Sequence, residues 1–453
     1  MRIHWHDLST PRAREADGQT VTMHGYQIVT GGTVTLVPEP PCCAGCLPTQ
    51  RGTRVTIIPA APVRPNPDSV RWSGRWRVTG EPAASYELHG ATPLDPPGWR
   101  AVTRRRALIG GPLMCLAACA SAAEPGQARE VIAAATAIDL HSHAGGMAGL
   151  ARIRSGVGFA PIAAPMREGG MTAISLAMVA DSPAIKIEPD GRIKRYREPE
   201  PGELYAHAKL AMSRLRDWVR SEGLNTITTA EDLRGAKQTI PSVIVAAEGA
   251  DFLEGQIGRL DEAHGQWNLR HLQLTHYRVN ELGDIQTEPP VHGGLTDFGA
   301  AVIRRCNELG IAVDVAHGTL DLVKRAAAVT RKPLVLSHTS LRANPAPFSR
   351  RISAAHAKVI ADTDGVIGVW PPAGKFPTLA AMAAGIARMV DAAGIDHVGL
   401  GSDLRGLTGA SIFPDYHVLP DLTEALLDAG FTAGDTAKLL GGNARRVYLA
   451  NLP

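Results

Sequence analysis

The sequence predicts an α/β protein in which a (β/α)8 barrel, the TIM-barrel architecture, follows a small β-rich N-terminal region. Three observations carry this. Short apolar runs of strand length recur eight times after Ala137, helical-period segments separate them, and metal-competent or acid/base residues follow six of the eight runs. Alternation of strands with longer helical segments is the signature of βαβ units around a parallel sheet. The predicted strands are Ala137 to Leu140, Thr172 to Met178, Ser242 to Ala247, His271 to Thr275, Ile311 to Val315, Pro333 to Leu336, Gly365 to Val369 and His397 to Leu400. Between them, Glu203 to Val219 and Phe298 to Leu309 place apolar residues at helical period.

Three regions follow one another. Residues 1 to 100 hold many prolines and alternating runs such as Thr20 to Met23 and Thr33 to Val37, which read as strands of a small β region. Cys42, Cys43 and Cys46 offer a metal or a disulfide site there, but no second Cys/His pair lies nearby to complete it. Residues 103 to 123 join Arg104, Arg105 and Arg106 to an apolar run that ends in Ala120, Ser121 and Ala122. A basic front, an apolar centre and a small-residue end are the parts of an export signal, here with a twin-arginine character. Leu116 to Cys119 has the form of a lipobox, in which Cys119 would carry a lipid anchor. An export signal belongs at the start of a chain, so its position implies a misplaced start or a fusion of two genes; a buried Ala/Leu helix joining two domains is the bland alternative. The barrel domain occupies 130 to 453.

Of 453 residues, 44% are hydrophobic and 20% charged, which is ordinary for globular proteins. The net charge of +3 is spread along the chain, so no nucleic-acid partner is expected. The barrel half contains a single cysteine, Cys306, and no internal disulfide can support it.

In such barrels reactive groups gather at the C-terminal ends of the strands. His141 and His143 follow the first strand, Glu248 the third, His276 the fourth, His317 the fifth, His338 the sixth and Asp403 the eighth. Any one histidine after a strand is ordinarily structural; the set is what carries information. Residues i and i+2 of an extended segment point the same way, so His141 and His143 can grip one ion with two imidazoles. A carboxylate ending a neighbouring strand can bridge two ions, and Glu248, after a wholly apolar run, has little other reason to be there.

These residues sit in motifs that resemble the membrane dipeptidase (renal dipeptidase) family of zinc peptidases over roughly Ala137 to Ala450. The matching pieces are Asp139-Leu140-His141-Ser142-His143, Ala247-Glu248-Gly249-Ala250-Asp251, Leu274-Thr275-His276 with Asn280, Val313-Asp314-Val315-Ala316-His317, Leu336-Ser337-His338-Thr339 and Gly399-Leu400-Gly401-Ser402-Asp403. The resemblance implies a metal-dependent hydrolase barrel that cleaves dipeptides with two zinc ions per subunit. His141, His143 and Glu248 would bind one ion, and Glu248, His317 and His338 the other. A hydroxide between the ions would attack the carbonyl. Asp403 would orient that water and protonate the leaving amine. His276 would stabilise the oxyanion. Arg350, on the loop after strand six, would clamp the substrate carboxylate, with His276 and Asn280 also facing substrate.

The chain departs from the family pattern in three places. His143 stands where a carboxylate is usual, Arg405 where the family has aspartate, and Arg351 where it has asparagine. An amidohydrolase acting on N-acyl amino acids, β-lactams or other small amides is therefore the alternative to a dipeptidase. A non-catalytic exported binding protein is a third reading, opposed by retention of every ligand type. The expected setting is exported, periplasmic or membrane-anchored, or cytoplasmic if the signal-like segment is unused. The expected partners are a small peptide substrate and a second copy in a homodimer.

Overall fold

The computed structural model describes residues 19–30, 33–37, 55–59, 69–79, 85–93, 126–342 and 346–453. The chain forms two compact units that divide between Cys119 and Ala120. In the first unit, β1 (Thr20–Thr30), β2 (Thr33–Val37), β3 (Val55–Pro59), β4 (Ser69–Thr79) and β5 (Ser85–Pro93) close into a five-stranded barrel. The order is β1-β2-β3-β5-β4, with β4 returning to β1, and every pairing is antiparallel except β3 with β5. The alternating runs at Thr20 and Thr33 lie in β1 and β2. The Cys42, Cys43 and Cys46 cluster and the arginine-led segment 103–123 lie outside the described residues. No helix among the described residues is long and apolar enough to cross a membrane.

The second unit is built on parallel strands: β6 (Ile138–Ser142), β7 (Ala173–Val179), β11 (Ser242–Glu248), β12 (Leu269–Gln273), β13 (Ala312–Asp314), β14 (Val335–Thr339), β15 (Val366–Val369) and β16 (Val398–Leu400). Outside the ring are a two-stranded hairpin, β8 (Ile185–Ile187) with β9 (Ile193–Arg195), and the short β10 (Asn225–Thr226) beside β11. The eight parallel strands form a closed barrel, since β7 pairs with β11 and the last strand meets the first at Leu400 opposite Asp139. All eight are buried along their whole length. That burial explains their near-continuous apolar runs, because helices cover the outer face and side chains fill the interior.

Each of the eight expected runs overlaps one of these strands. The difference lies at the ends. β6, β11 and β14 continue through His141, Glu248 and His338, so these residues are fixed by the backbone ladder and do not hang from loops. The expected helices appear as Glu203–Ser221 and Asp297–Leu309. The second is capped by Thr296, whose hydroxyl accepts from the Gly299 N–H at 3.0 Å, and stops at Gly310 with φ of 75°.

The C-terminal helix Asn443–Asn451 closes one end of the barrel. Val447 and Tyr448 cluster with Ile138, Ala173, Val335 and Val366, each the first residue of its strand. The helix therefore plugs the N-terminal ends and leaves the other mouth for chemistry.

Candidate metal centre

At that mouth Glu248 is buried, and its two carboxylate oxygens each face imidazole nitrogens. Oε1 lies 3.5, 3.3 and 3.4 Å from Nε2 of His141, His317 and His338. Oε2 lies 3.0 Å from Nε2 of His143 and 3.2 Å from Nε2 of His276. The Nε2 atoms of His141 and His143 are 3.1 Å apart, as are those of His317 and His338. Asp403 Oδ1 stands 3.6 Å from His143 Nε2. The sequence thus names seven side chains that do converge.

The rings are oriented from behind. His143 Nδ1 donates to the Ala177 carbonyl at 2.8 Å, which places a proton on that nitrogen and turns Nε2 toward Glu248. His338 Nδ1 meets the Ser337 hydroxyl at 2.9 Å. Two imidazole lone pairs 3.1 Å apart repel unless a proton or a cation lies between them. A cluster of imidazoles around one carboxylate is a donor set that suits zinc, so these residues fit a divalent metal.

Second contacts hold the donors in place. The Ser337 N–H donates to Asp314 Oδ1 at 3.0 Å, while Asp314 Oδ2 meets His271 Nε2 at 3.0 Å. Gly368 and Gly401 let the neighbouring strands close on Ser337, because a Cβ at either position would stand 1.8 Å from its carbonyl oxygen. Asp139 ties the first strand to the last: its Oδ1 accepts from the Ser402 N–H at 2.8 Å and the His141 N–H at 3.2 Å, and Tyr416 donates to Oδ2 at 3.0 Å. His317, Asp403 and Arg405 hold positive φ of 68°, 47° and 68°, a backbone conformation that costs of order 1–3 kcal/mol in a non-glycine residue and persists where surrounding structure imposes it.

The electrostatics follow from this packing. Burial favours a neutral Glu248, but the imidazoles, His276 and His141 foremost, outweigh it and hold the carboxyl well below its usual range. Burial pushes Asp403 up to about 7, with Glu248 adding and His143 opposing. Burial alone would depress His276; Asp181 and Glu248 overcome it and raise the imidazole to about 9. Burial holds His317 and His338 well below the normal histidine value, and Arg350 adds to that for both.

Arg350 lies where the loop after β14 was expected to bring it. Its Nη2 is 3.1 Å from His338 Nε2, its Nη1 donates to Gln286 Oε1 at 2.8 Å, and its guanidinium packs on the Trp370 ring at 5.4 Å. Asn280, expected to face substrate, is held by hydrogen bonds inside the protein. Its amide donates to Asp251 Oδ2 at 3.1 Å and the Leu274 carbonyl at 2.9 Å, and its oxygen accepts from the Leu282 N–H at 2.9 Å. These bonds tie the loop after β12 to Asp251 and to Leu274.

Sequence reasoning passed over Asp181, Tyr277 and Trp370. Asp181 Oδ1 lies 2.7 Å from His276 Nδ1, and its Oδ2 accepts from the Tyr277 N–H at 3.1 Å. Tyr277 and Trp370 line the cavity of about 620 Å³ above the donors, together with Asp403, His276 and the β8/β9 hairpin. Asp181 follows the second strand, the same strand-end signal that marked the others; it escaped notice because no motif surrounds it.

The model of the membrane dipeptidase family (peptidase family M19) matches residues 208–451. The chain belongs to the membrane dipeptidase family. The matched span takes in Glu248, His276, His317, His338, Arg350 and Asp403, whereas His141 and His143 precede it, on the strand that β7 joins to the Glu248 strand. Among family relatives, dipeptidase aclJ of Aspergillus oryzae is 33% identical over 215 residues, which are 46% of this chain and 50% of that protein. Dipeptidase verJ of Clonostachys rogersoniana is 29% identical over 210 residues, 45% and 54% of the two chains. The chain spans about half the length of these relatives. Solved structures share the fold. The probable dipeptidase PvdM from Pseudomonas aeruginosa superposes with a TM-score of 0.60 at 20% identity, over 71% of this chain and 97% of that one. A Rhodobacter sphaeroides metallo peptidase, liganded with a phosphinate mimic of the dipeptide L-Ala-D-Ala, gives 0.59 at 21% identity, over 70% and 99%.

Proposed function

We propose that this protein is a zinc-dependent dipeptidase holding two ions per subunit. The observation that carries the reading is the convergence of five imidazoles on one buried carboxylate, with Asp403 beside them at the mouth of the cavity. The donors sort about Glu248 with His141, His317 and His338 toward Oε1 and His143 toward Oε2. Two divalent cations held there would acidify a water and polarise the scissile carbonyl. The chain's own residues supply the rest. Asp403, whose burial favours the protonated form, accepts a proton at Oδ1 from the attacking water and hands it to the leaving amine. His276, kept cationic by Asp181, donates from Nε2 to the oxygen on which negative charge develops. Arg350 receives the substrate's free carboxylate through charge-assisted hydrogen bonds. Trp370 and Tyr277 wall the site and restrict water.

Elemental analysis of purified protein, with a dipeptide panel, tests the proposal. The expected result is close to two zinc ions per chain and hydrolysis of dipeptides that Asp403→Asn loses while keeping its metal. A folded preparation that stays metal-free in excess zinc, or Asp403→Asn turning over near the parent rate, would refute it. Export through the segment 103–123, a lipid at Cys119 and a homodimer are further proposals. Mass spectrometry of the N-terminus from the native host and light scattering test them.

A further inference from the structure

After β7 the chain leaves the barrel and forms the β8/β9 hairpin before entering the helix Glu203–Ser221. In this hairpin Ile187 pairs with Ile193, Lys186 with Lys194 and Ile185 with Arg195. Opposed residues of an antiparallel pair project to one face, as do residues two apart, so Ile185, Ile187 and Ile193 share a face with Arg195, whose guanidinium pairs with Glu198. Lys186 and Lys194 alternate to the other face, and Lys186 also lines the cavity. The three isoleucines line the cavity above the metal donors. Ile187 is nevertheless 63% exposed. Two strands alone have little stability, yet this pair is anchored at its base. The Tyr196 N–H donates to the Ala184 carbonyl at 3.0 Å, Tyr196 Oη donates to the Pro183 carbonyl at 3.1 Å, and Arg197 grips Glu203 at 2.6 and 2.8 Å. An apolar face held firmly over a reaction site while open to water is built to be covered.

Topology says what covers it. In the ring β6-β7-β11-β12-β13-β14-β15-β16, β7 and β14 are four steps apart in either direction. The hairpin, following β7, and Arg350, following β14, therefore stand on opposite sides of the donors. A dipeptide whose carboxylate meets Arg350 and whose peptide bond lies over Glu248 extends its first residue toward the hairpin. We infer that the β8/β9 hairpin is a specificity flap that selects dipeptides with a large apolar first side chain. The inference rests on the dipeptidase reading and on the carboxylate end that Arg350 defines.

The test compares leucyl and alanyl dipeptides that share one second residue, using zinc-loaded enzyme. Burying three further carbons against the isoleucines should favour the leucyl substrate at least tenfold or so in kcat/KM. In an Ile187→Asn, Ile193→Asn double variant that ratio should fall below about threefold, because polar amides replace the apolar face. Lys194→Ala, on the solvent side, should leave the ratio at the parent value. If the double variant does not fold, Ile187→Ala alters only an exposed side chain and should roughly halve the preference or more. A parent ratio near one, or a ratio that survives in folded flap variants, would overturn the proposal. If the enzyme hydrolyses no dipeptide, the dipeptidase reading fails on its own; Trp370 fluorescence titration of zinc-loaded Asp403→Asn with the same two dipeptides then decides the flap. Tighter leucyl binding supports it, and equal or absent binding overturns it.

Discussion

Replacing Asp181 by asparagine removes one charge and almost no volume. In the native protein the Asp181 carboxylate is fully buried and receives two hydrogen bonds, from His276 Nδ1 at 2.7 Å and from the Tyr277 backbone at 3.1 Å. Asparagine can still accept from the imidazole, so the ring should keep its position while losing the partner that keeps it cationic. A hydrogen bond to a charged group contributes about 1.5–3 kcal/mol. Because neither atom is exposed, solvent does not screen this contribution. If His276 acts on charge that develops only in the transition state, the loss falls on kcat, by roughly ten- to a hundredfold, and KM changes little. Asp181 touches none of the residues assigned to the metals, so zinc content should match the parent. Steady-state kinetics on one good dipeptide, with elemental analysis of the same preparation, measures both. A kcat within twofold of the parent would show that His276 does not depend on this partner; parallel loss of zinc would show that Asp181 supports the metal centre instead.

Arg350→Ala should lose roughly ten- to a hundredfold in kcat/KM on a free dipeptide and much less on its C-terminal amide, and equal losses on both would show that Arg350 only supports its loop. Glu248→Gln removes the one charge shared by the imidazoles, so elemental analysis should find both ions depleted. The metal-free protein should become less stable as pH rises from 6.5 to 9, which thermal melting across that range would detect. The sign comes from His276: its folded value of about 9 exceeds the unfolded histidine value near 6.5, so its contribution is complete below 6.5 and vanishes as pH passes through 9. That contribution is on the order of 3 kcal/mol, from 1.36 kcal/mol per pH unit. A flat melting profile, or one rising with pH, would contradict the assignment.

The barrel was legible because most strands covered on both faces are near-continuous apolar runs, and a run such as Ser242 to Ala247 has no other economical reading, although β12 buries Arg270, His271 and Gln273. The donors were legible because a polar side chain ending such a run is conspicuous. What could not be read was the use to which a buried polar group is put. Asn280 and Asp181 look alike in sequence, each a short polar residue after a strand, yet one bonds within its own loop region and the other holds the His276 imidazole. That distinction depends on contacts across 95 residues for Asp181 and His276, and local pattern holds no record of them. The hairpin is a milder case. Its Ile-Lys-Ile at 185 to 187 is a strand signal, but Ile-Lys-Arg at 193 to 195 weakens the pattern, and strands of three residues outside the barrel repeat do not stand out.

Closure through Asp139 and Ser402, 263 residues apart, sets a schedule for assembly. His141 and His143 leave the ribosome early, Glu248 and the remaining histidines later, and Asp403 last. The first pair can reach Glu248 through β7, but Asp403 joins them only when the final strand docks against the first. Contacts this distant make folding slow, since loop-closure entropy must be overcome before any native pairing repays it. A growing chain would therefore offer an ion only part of the donor set, and the set would be completed with the last strand. Zinc uptake would then report completion of the ring, and an ion present at that moment would trap the closed form by mass action.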